Sequence, residues 1–295
     1  MSVLASAFQK AGIPFLEGEP LSAHTTFRIG GKAFMTFPRN VAELRMALSI
    51  AADRGIGYRI LGNGSDILAP DDAIDSLVVC TKQMRKMQNC GCYFEAESGV
   101  MLSMLLRHCA RLGYGGAEAL AGIPATVGGA VYMNAGAFGT ETASFVRRVQ
   151  VLKSDDLTLR MMTPEELSFS YRHSSLQECH DIVCSVTFSF LPIDTDEALD
   201  RMNEYARRRR ISQPALPSAG SYFRRDNDHI PAQLIDRCAL KGIRSGGAAV
   251  SEKHAGFIVN LGTAKAADVL LVADIVKRSV AERFGVALRS EVEIW

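Results

Sequence analysis

The chain has 295 residues, 47% of them hydrophobic and 22% charged, with a formal net charge of +1. This length predicts two or three domains, and the composition describes an ordinary protein with enough apolar surface for real cores. A net charge so close to zero gives no global attraction to nucleic acid or to an anionic membrane.

The first residues, "MSVLASAFQKAGIPF", lack a basic region followed by an apolar run, so no secretory signal is expected. Seven cysteines, an odd number, fit a reducing cytoplasm better than a disulfide framework. Cys90 and Cys92 flank a glycine, and Cys179 and Cys184 lie near His180, yet neither cluster has a partner pair at zinc spacing. No metal is expected.

"VLASAFQKAG" predicts a short helix ending at Gly12, and "TTFRIGGKAFMTFP" a strand pair interrupted by Gly30 and Gly31. Val41 to Arg54 carries Leu44, Leu48 and Ala51 at helical spacing and stops at Gly55. "YRILGNGSDIL" predicts a strand, a tight glycine turn and a new segment, and the runs around "NCGC" predict a hairpin. "LSMLLRHCARLG" is an amphipathic helix with Gly113 as its stop. "VRRVQVLKSDDLTLRMMT" predicts two strands about an Asp-Asp turn, and "DIVCSVTFSFLP" a further strand ended by Pro192. A helix from about Asp194 to Arg210 follows, then helices over "AQLIDRCALKG" and "AKAADVLLVADIVKRSVAERFG". Thr263 is the expected N-cap of the last helix and Gly285 its stop. The final "VALRSEVEIW" predicts a strand with Val286, Leu288, Val292 and Ile294 on one face and Glu291 on the other.

Two stretches carry chemistry. In "ILGNGSDIL", Gly62 and Gly64 surround Asn63, and Ser65 follows; backbone N–H groups in such a turn can form a nest for an anion. No Gly-Lys-Ser/Thr follows, so this is not a P-loop, and the third glycine of a Rossmann fingerprint is missing. The second stretch, "GIPATVGGAVYMNAGAFG", holds five glycines and four alanines inside a run of 22 uncharged residues between Glu118 and Glu141. The run is long enough to raise a membrane span. Pro124, Asn134 and the scattered glycines argue against one. A close-packed core turn is one reading. The other is a seat where something large approaches a bare backbone. Together the two stretches suggest a dinucleotide, one suited to a diphosphate and the other to a flat ring.

These segments, with "HTTFRIGGKA", resemble the flavin-binding segments of the UDP-N-acetylenolpyruvoylglucosamine reductase family, bacterial cell-wall enzymes. "SYRHSS", "LPSAGSYFRR", "HAGFIVN" and the terminal "EVEI" match that family in order and spacing, from about residue 20 to the end. The resemblance implies an α+β fold. A vanillyl-alcohol-oxidase/PCMH-type FAD-binding domain of two α+β lobes, residues 1–70 and 71–193, is followed by a C-terminal α+β substrate domain, residues 194–295. It implies FAD-dependent, NADPH-driven reduction of UDP-N-acetylglucosamine enolpyruvate to UDP-N-acetylmuramate, a step in peptidoglycan precursor synthesis and so in cell shape and division. FAD is expected to bind without a covalent bond, with NADPH as co-substrate. The expected setting is the cytoplasm, with a small-molecule substrate and no nucleic acid, membrane or obligate protein partner.

The resemblance assigns cofactor binding to Gly62, Asn63, Gly64, Ser65, Asp66, Gly122, Ala125, Thr126, Gly128, Gly129, Asn134, Gly136 and Ile182. Family members usually carry glycine where Ala125 stands and often asparagine where Asp66 stands. The implied reaction develops carbanion character at C2 of the enolpyruvyl ether, which calls for a fixed cation, an acid and a proton donor. Arg172 matches the active-site arginine, Ser221 the proton donor and Glu291 the catalytic glutamate. Tyr171, Arg225 and His254 are the expected substrate contacts. Glu293 stands where the family commonly has a basic residue. "RRRR", residues 207–210, reads as a solvated helix end favoured by the helix dipole, near enough to the substrate domain to leave nucleotide steering open. The short chain after "SYRHSS" matches the smaller class of the family, without a tyrosine-bearing lid insertion. Two other readings stand beside this one: another flavoprotein oxidoreductase of the same superfamily, and a non-enzymatic nucleotide-binding module.

Overall fold

The computed structural model describes residues 3–226 and 228–295. The chain divides into two compact units. Met1–Glu17, Phe34–Asn63 and Ser76–Arg208 form the first; Gly18–Ala33, Gly64–Asp75 and Arg209–Trp295 form the second.

The first unit is built on an antiparallel sheet of five strands in the order Leu159–Met162, Val146–Leu152, Ile182–Ser189, Tyr93–Glu97, Met87–Cys90. Its hydrophobic alternation loads both faces. Phe94, Ala96, Val149, Val186 and Phe188 pack with Leu102, Leu105 and Leu106 of helix Leu102–Arg111 and with Val127 and Val131 of helix Val127–Tyr132. Leu152, Ile182 and Cys184 pack the other way, among Phe8, Leu44, Leu48, Leu77 and Val79. A register shift between Gln150 and Val151 lets both sets point inward. Helix Val41–Ala52 starts at Asn40, whose side chain accepts the Glu43 N–H at 3.0 Å. Tyr58–Leu61 and Ile74–Cys80 pair in parallel, with Tyr58 opposite Leu77.

The second unit packs helix Ala266–Phe284 on a three-stranded antiparallel sheet, Arg244–Ser245, Ala248–Val250 and Ile258–Asn260. Val269, Val272, Ala273, Val276 and Val280 recur at helical spacing and meet Phe27, Ile29, Leu68, Tyr222 and Phe223 in its core.

Three local expectations are corrected. Thr25–Ile29 is not a strand. Thr25 Oγ1 donates to Ile29 O at 3.0 Å and Arg28 takes φ +56°, so local side-chain bonding folds this segment into a turn. The strand of this region is Phe15–Pro20, ahead of Lys32–Thr36. The last helix starts at Lys265, not Thr263, because Asp268 accepts the Lys265 N–H at 3.0 Å. At the C-terminus only Glu293–Ile294 is strand, paired in parallel with Ile67–Leu68, and Ile294 is 50% exposed rather than on a buried face. The preceding residues are held by non-sheet partners, Ser290 opposite Phe223 and the Glu291 N–H on Tyr222 O.

Candidate active site

Strand Tyr58–Leu61 delivers the chain into the loop Gly62 to Asp66. Gly64 takes φ +60°, and a Cβ there would stand 2.5 Å from His24 O, so only glycine fits. A Cβ on Gly62 would stand 2.5 Å from Thr126 Oγ1. The Asn63 amide donates to Pro124 O at 2.8 Å. Two glycine-rich segments about 60 residues apart are thereby joined. Among the described residues, the backbone N–H groups of Asn63, Gly64 and Ser65, and the Ser65 hydroxyl, have no protein partner. A run of free donors of this kind fits a diphosphate.

The stretch after Ala121 contributes differently. Thr126 caps helix Val127–Tyr132, its hydroxyl accepting the Gly129 N–H at 3.4 Å. The Val127 and Gly128 N–H groups donate to Val100 O and Ser98 O, at 2.7 and 2.8 Å. Donors at this helix start are therefore satisfied internally, unlike those of the Asn63–Ser65 loop. Gly128 is small for a packing reason, since its Cβ would lie 2.9 Å from Ser98 Cβ. At Gly129 a Cβ would meet nothing nearer than Thr126 Oγ1, at 3.6 Å, and that side is open to a flat ring. Gly122 is exposed and Ala125 is buried.

Two expected cofactor residues are otherwise engaged. Ile182 is 3% exposed and packs in the core with Leu152 and Cys184, so its side chain offers no surface to a ring. Asn134 is fully buried. Its amide donates to Glu141 Oε2 and to Ser170 O, both at 2.9 Å, and its oxygen accepts the Ala143 N–H at 3.0 Å. Both amide hydrogens thus belong to protein partners.

Arg172 lies on a tight turn. Ser170 and His173 exchange both backbone hydrogen bonds at 3.1 Å, which leaves Tyr171 and Arg172 at the tip. Arg172 takes φ +55°. Its Nη2 donates to Gly136 O at 3.1 Å, and its guanidinium carbon lies 5.2 Å from the centroid of the Tyr171 ring. A Cβ on Gly136 would stand 3.2 Å from Arg172 Nη1, so the glycine makes room for the guanidinium.

Arg172 belongs to the first unit, Ser221 and Glu291 to the second. Ser221 is exposed, follows Gly220 at φ +79°, and has no hydrogen-bond partner for its hydroxyl among the described residues. The next residue, Tyr222, is fully buried and accepts the Glu291 N–H at 2.8 Å, so Ser221 and Glu291 are carried on neighbouring segments. Glu291 is half-buried, Glu293 exposed, and Arg225 exposed. The Glu293 N–H donates to Asp66 O at 2.9 Å. His254 is half-buried and edge-on to Phe257; its Nδ1 accepts the Gly256 N–H at 3.1 Å, and burial holds its pKa below the usual 6.5.

Thr26 escaped the sequence reading as a site residue. Its N–H donates to Gly64 O at 2.9 Å and its hydroxyl to Ser218 O at 2.7 Å, linking the anion loop to the loop that carries Ser221. Its position inside "HTTFRIGGKA" was the available signal. Asn260, in "HAGFIVN", donates to Phe27 O at 3.0 Å and steadies the same segment. Of the arginine run, Arg207 and Arg208 pair with Glu204 at 2.7 and 2.9 Å, as a solvated helix end does. All seven cysteines are free. Among the described residues no cluster could hold a metal, and no helix is long and apolar enough to cross a membrane.

The chain is similar to known proteins along most of its length. Residues 33–161 match the FAD binding domain model, and residues 213–295 match the model of the UDP-N-acetylenolpyruvoylglucosamine reductase C-terminal domain. The UDP-N-acetylenolpyruvoylglucosamine reductase of Caldicellulosiruptor bescii is 40% identical over 289 residues, covering 97% of this chain and 92% of that protein. The reductase of Levilactobacillus brevis is 38% identical over 296 residues, covering 100% and 96%. The crystal structure of the Thermus caldophilus reductase superposes with a TM-score of 0.83 at 35% identity, over 96% of this chain and 99% of that one. Glucooligosaccharide oxidase from Acremonium strictum, at 15% identity and a TM-score of 0.50 over 65% of this chain and 43% of that one, shares the fold.

Proposed function

The chain belongs to the UDP-N-acetylenolpyruvoylglucosamine reductase family, and from that membership we propose which of its residues carry each part of the reaction. It is an oxidoreductase that reduces UDP-N-acetylglucosamine enolpyruvate to UDP-N-acetylmuramate, supplying peptidoglycan synthesis, with FAD as cofactor and NADPH as reductant. Its α+β fold is of the vanillyl-alcohol-oxidase type.

FAD, when bound, supplies the hydride that adds to C3 of the enolpyruvyl group. The N–H groups of Asn63, Gly64 and Ser65 would hold its diphosphate, and Gly129 would leave room for its ring. Arg172 holds the substrate carboxylate. A guanidinium binds a carboxylate in bidentate fashion and keeps its charge as electron density moves toward that group. The Gly136 carbonyl accepts from one guanidinium nitrogen and so fixes where the charged group lies. Ser221 delivers a proton to C2; its exposed hydroxyl, without a protein partner among the described residues, is available for that transfer. Glu291, half-buried, acts as the acid that stabilises the charge developing on the substrate. Tyr171, Arg225 and His254 contact the substrate, Arg225 as a cation toward its diphosphate. We assign cofactor binding to residues 1–70 and 71–193 and substrate binding to residues 194–295. We place the enzyme in the cytoplasm, free of nucleic acid, membrane or an obligate protein partner.

The observation that carries this reading is the free-donor loop tied to an open glycine stretch, in a chain that matches the reductases nearly end to end. The test is product analysis: the purified protein with NADPH and UDP-N-acetylglucosamine enolpyruvate should yield UDP-N-acetylmuramate by mass spectrometry, one NADPH consumed per product. NADPH consumption with the enolpyruvyl sugar unchanged would contradict it.

A further inference from the structure

We propose that Asn134 is a positioning residue for Arg172, and that Glu141 holds Asn134 to that task; the proposal rests on the reading of Arg172 as the partner of the substrate carboxylate. Arg172 stands at φ +55°, a conformation glycine and asparagine adopt far more readily than arginine. A residue in that region persists only where its surroundings hold it.

Both flanks of the turn are held by side-chain amides. Ser170 O accepts the His173 N–H at 3.1 Å and the Asn134 amide at 2.9 Å. On the far side, Arg172 O accepts the Gln177 amide at 3.2 Å. The head of the arginine is tied as well, through Nη2 to Gly136 O at 3.1 Å. Gly136 is paired with Glu141 across a two-stranded ribbon, and Glu141 accepts the Asn134 amide at 2.9 Å. The contacts close into a ring: Arg172 side chain, Gly136, Glu141, Asn134, Ser170, and back to the Arg172 backbone. One end of the ring fixes where the arginine starts and the other fixes where its guanidinium lies.

Glu141 has a second effect. An asparagine amide can flip, and the flipped form would set the Asn134 oxygen against the Glu141 carboxylate and its NH₂ against the Ala143 N–H. The carboxylate therefore selects the orientation that donates to Ser170 O. This makes Asn134 part of the turn's support rather than a hydrogen-bond donor to the flavin.

The experiment is a double-mutant cycle on the holoenzyme. It reads FAD content, flavin reduction by NADPH, anaerobic reoxidation by UDP-N-acetylglucosamine enolpyruvate, and substrate Kd by calorimetry. Asn134→Ala should keep FAD content and reduction rate within about twofold and slow reoxidation by roughly 10- to 100-fold, the cost of a misplaced contact. In an Arg172→Ala background the same change should slow reoxidation further by less than about twofold, with the same non-additivity in Kd. Glu141→Ala should slow reoxidation by about tenfold, and Glu141→Gln, which keeps an acceptor for Asn134, should restore most of the rate. If Asn134→Ala does not fold, the Glu141 pair decides the proposal alone. Effects that multiply in the double variant, loss of FAD in folded Asn134→Ala, or a Glu141→Gln enzyme as slow as Glu141→Ala would overturn it while leaving the arginine's role intact. An Arg172→Ala enzyme with the native reoxidation rate would overturn the arginine assignment and this proposal together.

Discussion

Glu291 donates its backbone N–H to Tyr222 O at 2.8 Å, which holds it against the residue that directly follows Ser221. The acid and the hydroxyl assigned to the second half of the reaction are therefore held by one backbone contact. Neither side chain contributes to that contact, so changing either should spare it.

For Glu291→Gln we expect normal FAD content, normal reduction by NADPH, and oxidation by substrate slowed at least about 10²-fold. Glutamine keeps the volume and much of the hydrogen bonding but removes the acid–base function. Substrate affinity should change far less, because the loss belongs to the transition state. Stopped-flow absorbance of the flavin measures both halves; native turnover would return Glu291 to the role of a chain-end residue.

Ser221→Ala should leave flavin reduction nearly intact and slow the oxidative half by about 10² to 10⁴. The hydroxyl has no protein partner among the described residues, so its removal should leave the melting temperature within a degree or two. A parallel fall in both half-reactions would mark Ser221 as structural.

Gly128 and Gly129 should behave as opposites. Gly128→Ala forces a Cβ to 2.9 Å from Ser98 Cβ and should destabilise the fold by about 1–3 kcal/mol. Gly129→Val points into open space and should leave the apoprotein folded while abolishing FAD binding. Flavin absorbance after desalting, alongside thermal melts, separates the two; undiminished flavin in Gly129→Val would remove the ring from this position. In the native enzyme, acid precipitation should leave the yellow colour in the supernatant, as a non-covalent cofactor does.

Much of this was legible beforehand because glycine and charge leave a local record. Helix stops at Gly12, Gly55, Gly113 and Gly285 lie where the residue must take a left-handed φ, and the structure has all four there. Gly62, Asn63 and Gly64 were marked by composition alone. What stayed hidden depends on partners distant in sequence. Thr26 acquires its role only when Ser218, 192 residues later, arrives to accept its hydroxyl. Asn134 looks like a free amide until Ser170 and Glu141 take its hydrogens. Ile182 carries no mark of burial on both sides that a strand sequence could show, and the final segment alternates like a strand throughout although the backbone bonds of Arg289 and Glu291 go to Arg224 and Tyr222.

His254 gives a pH signature. Burial lowers its pKa from 6.5, with the nearby Lys241 charge adding to the effect, so the unfolded chain binds this proton first as pH falls. The stability that the neutral ring contributes is then fully present above about pH 6.5 and is lost as pH falls from there through the lowered folded value. Urea midpoints at about pH 8 and about pH 5.5 should differ more in the native protein than in His254→Gln. Equal differences would place His254 in solvent.

The central claim is that this chain passes hydride to an enolpyruvyl ether. The direct measurement is to reduce the purified holoenzyme with one equivalent of NADPH under anaerobic conditions and then add UDP-N-acetylglucosamine enolpyruvate. The account predicts rapid return of the oxidised flavin absorbance, stoichiometric with UDP-N-acetylmuramate formed. Flavin that stays reduced until oxygen is admitted would contradict it.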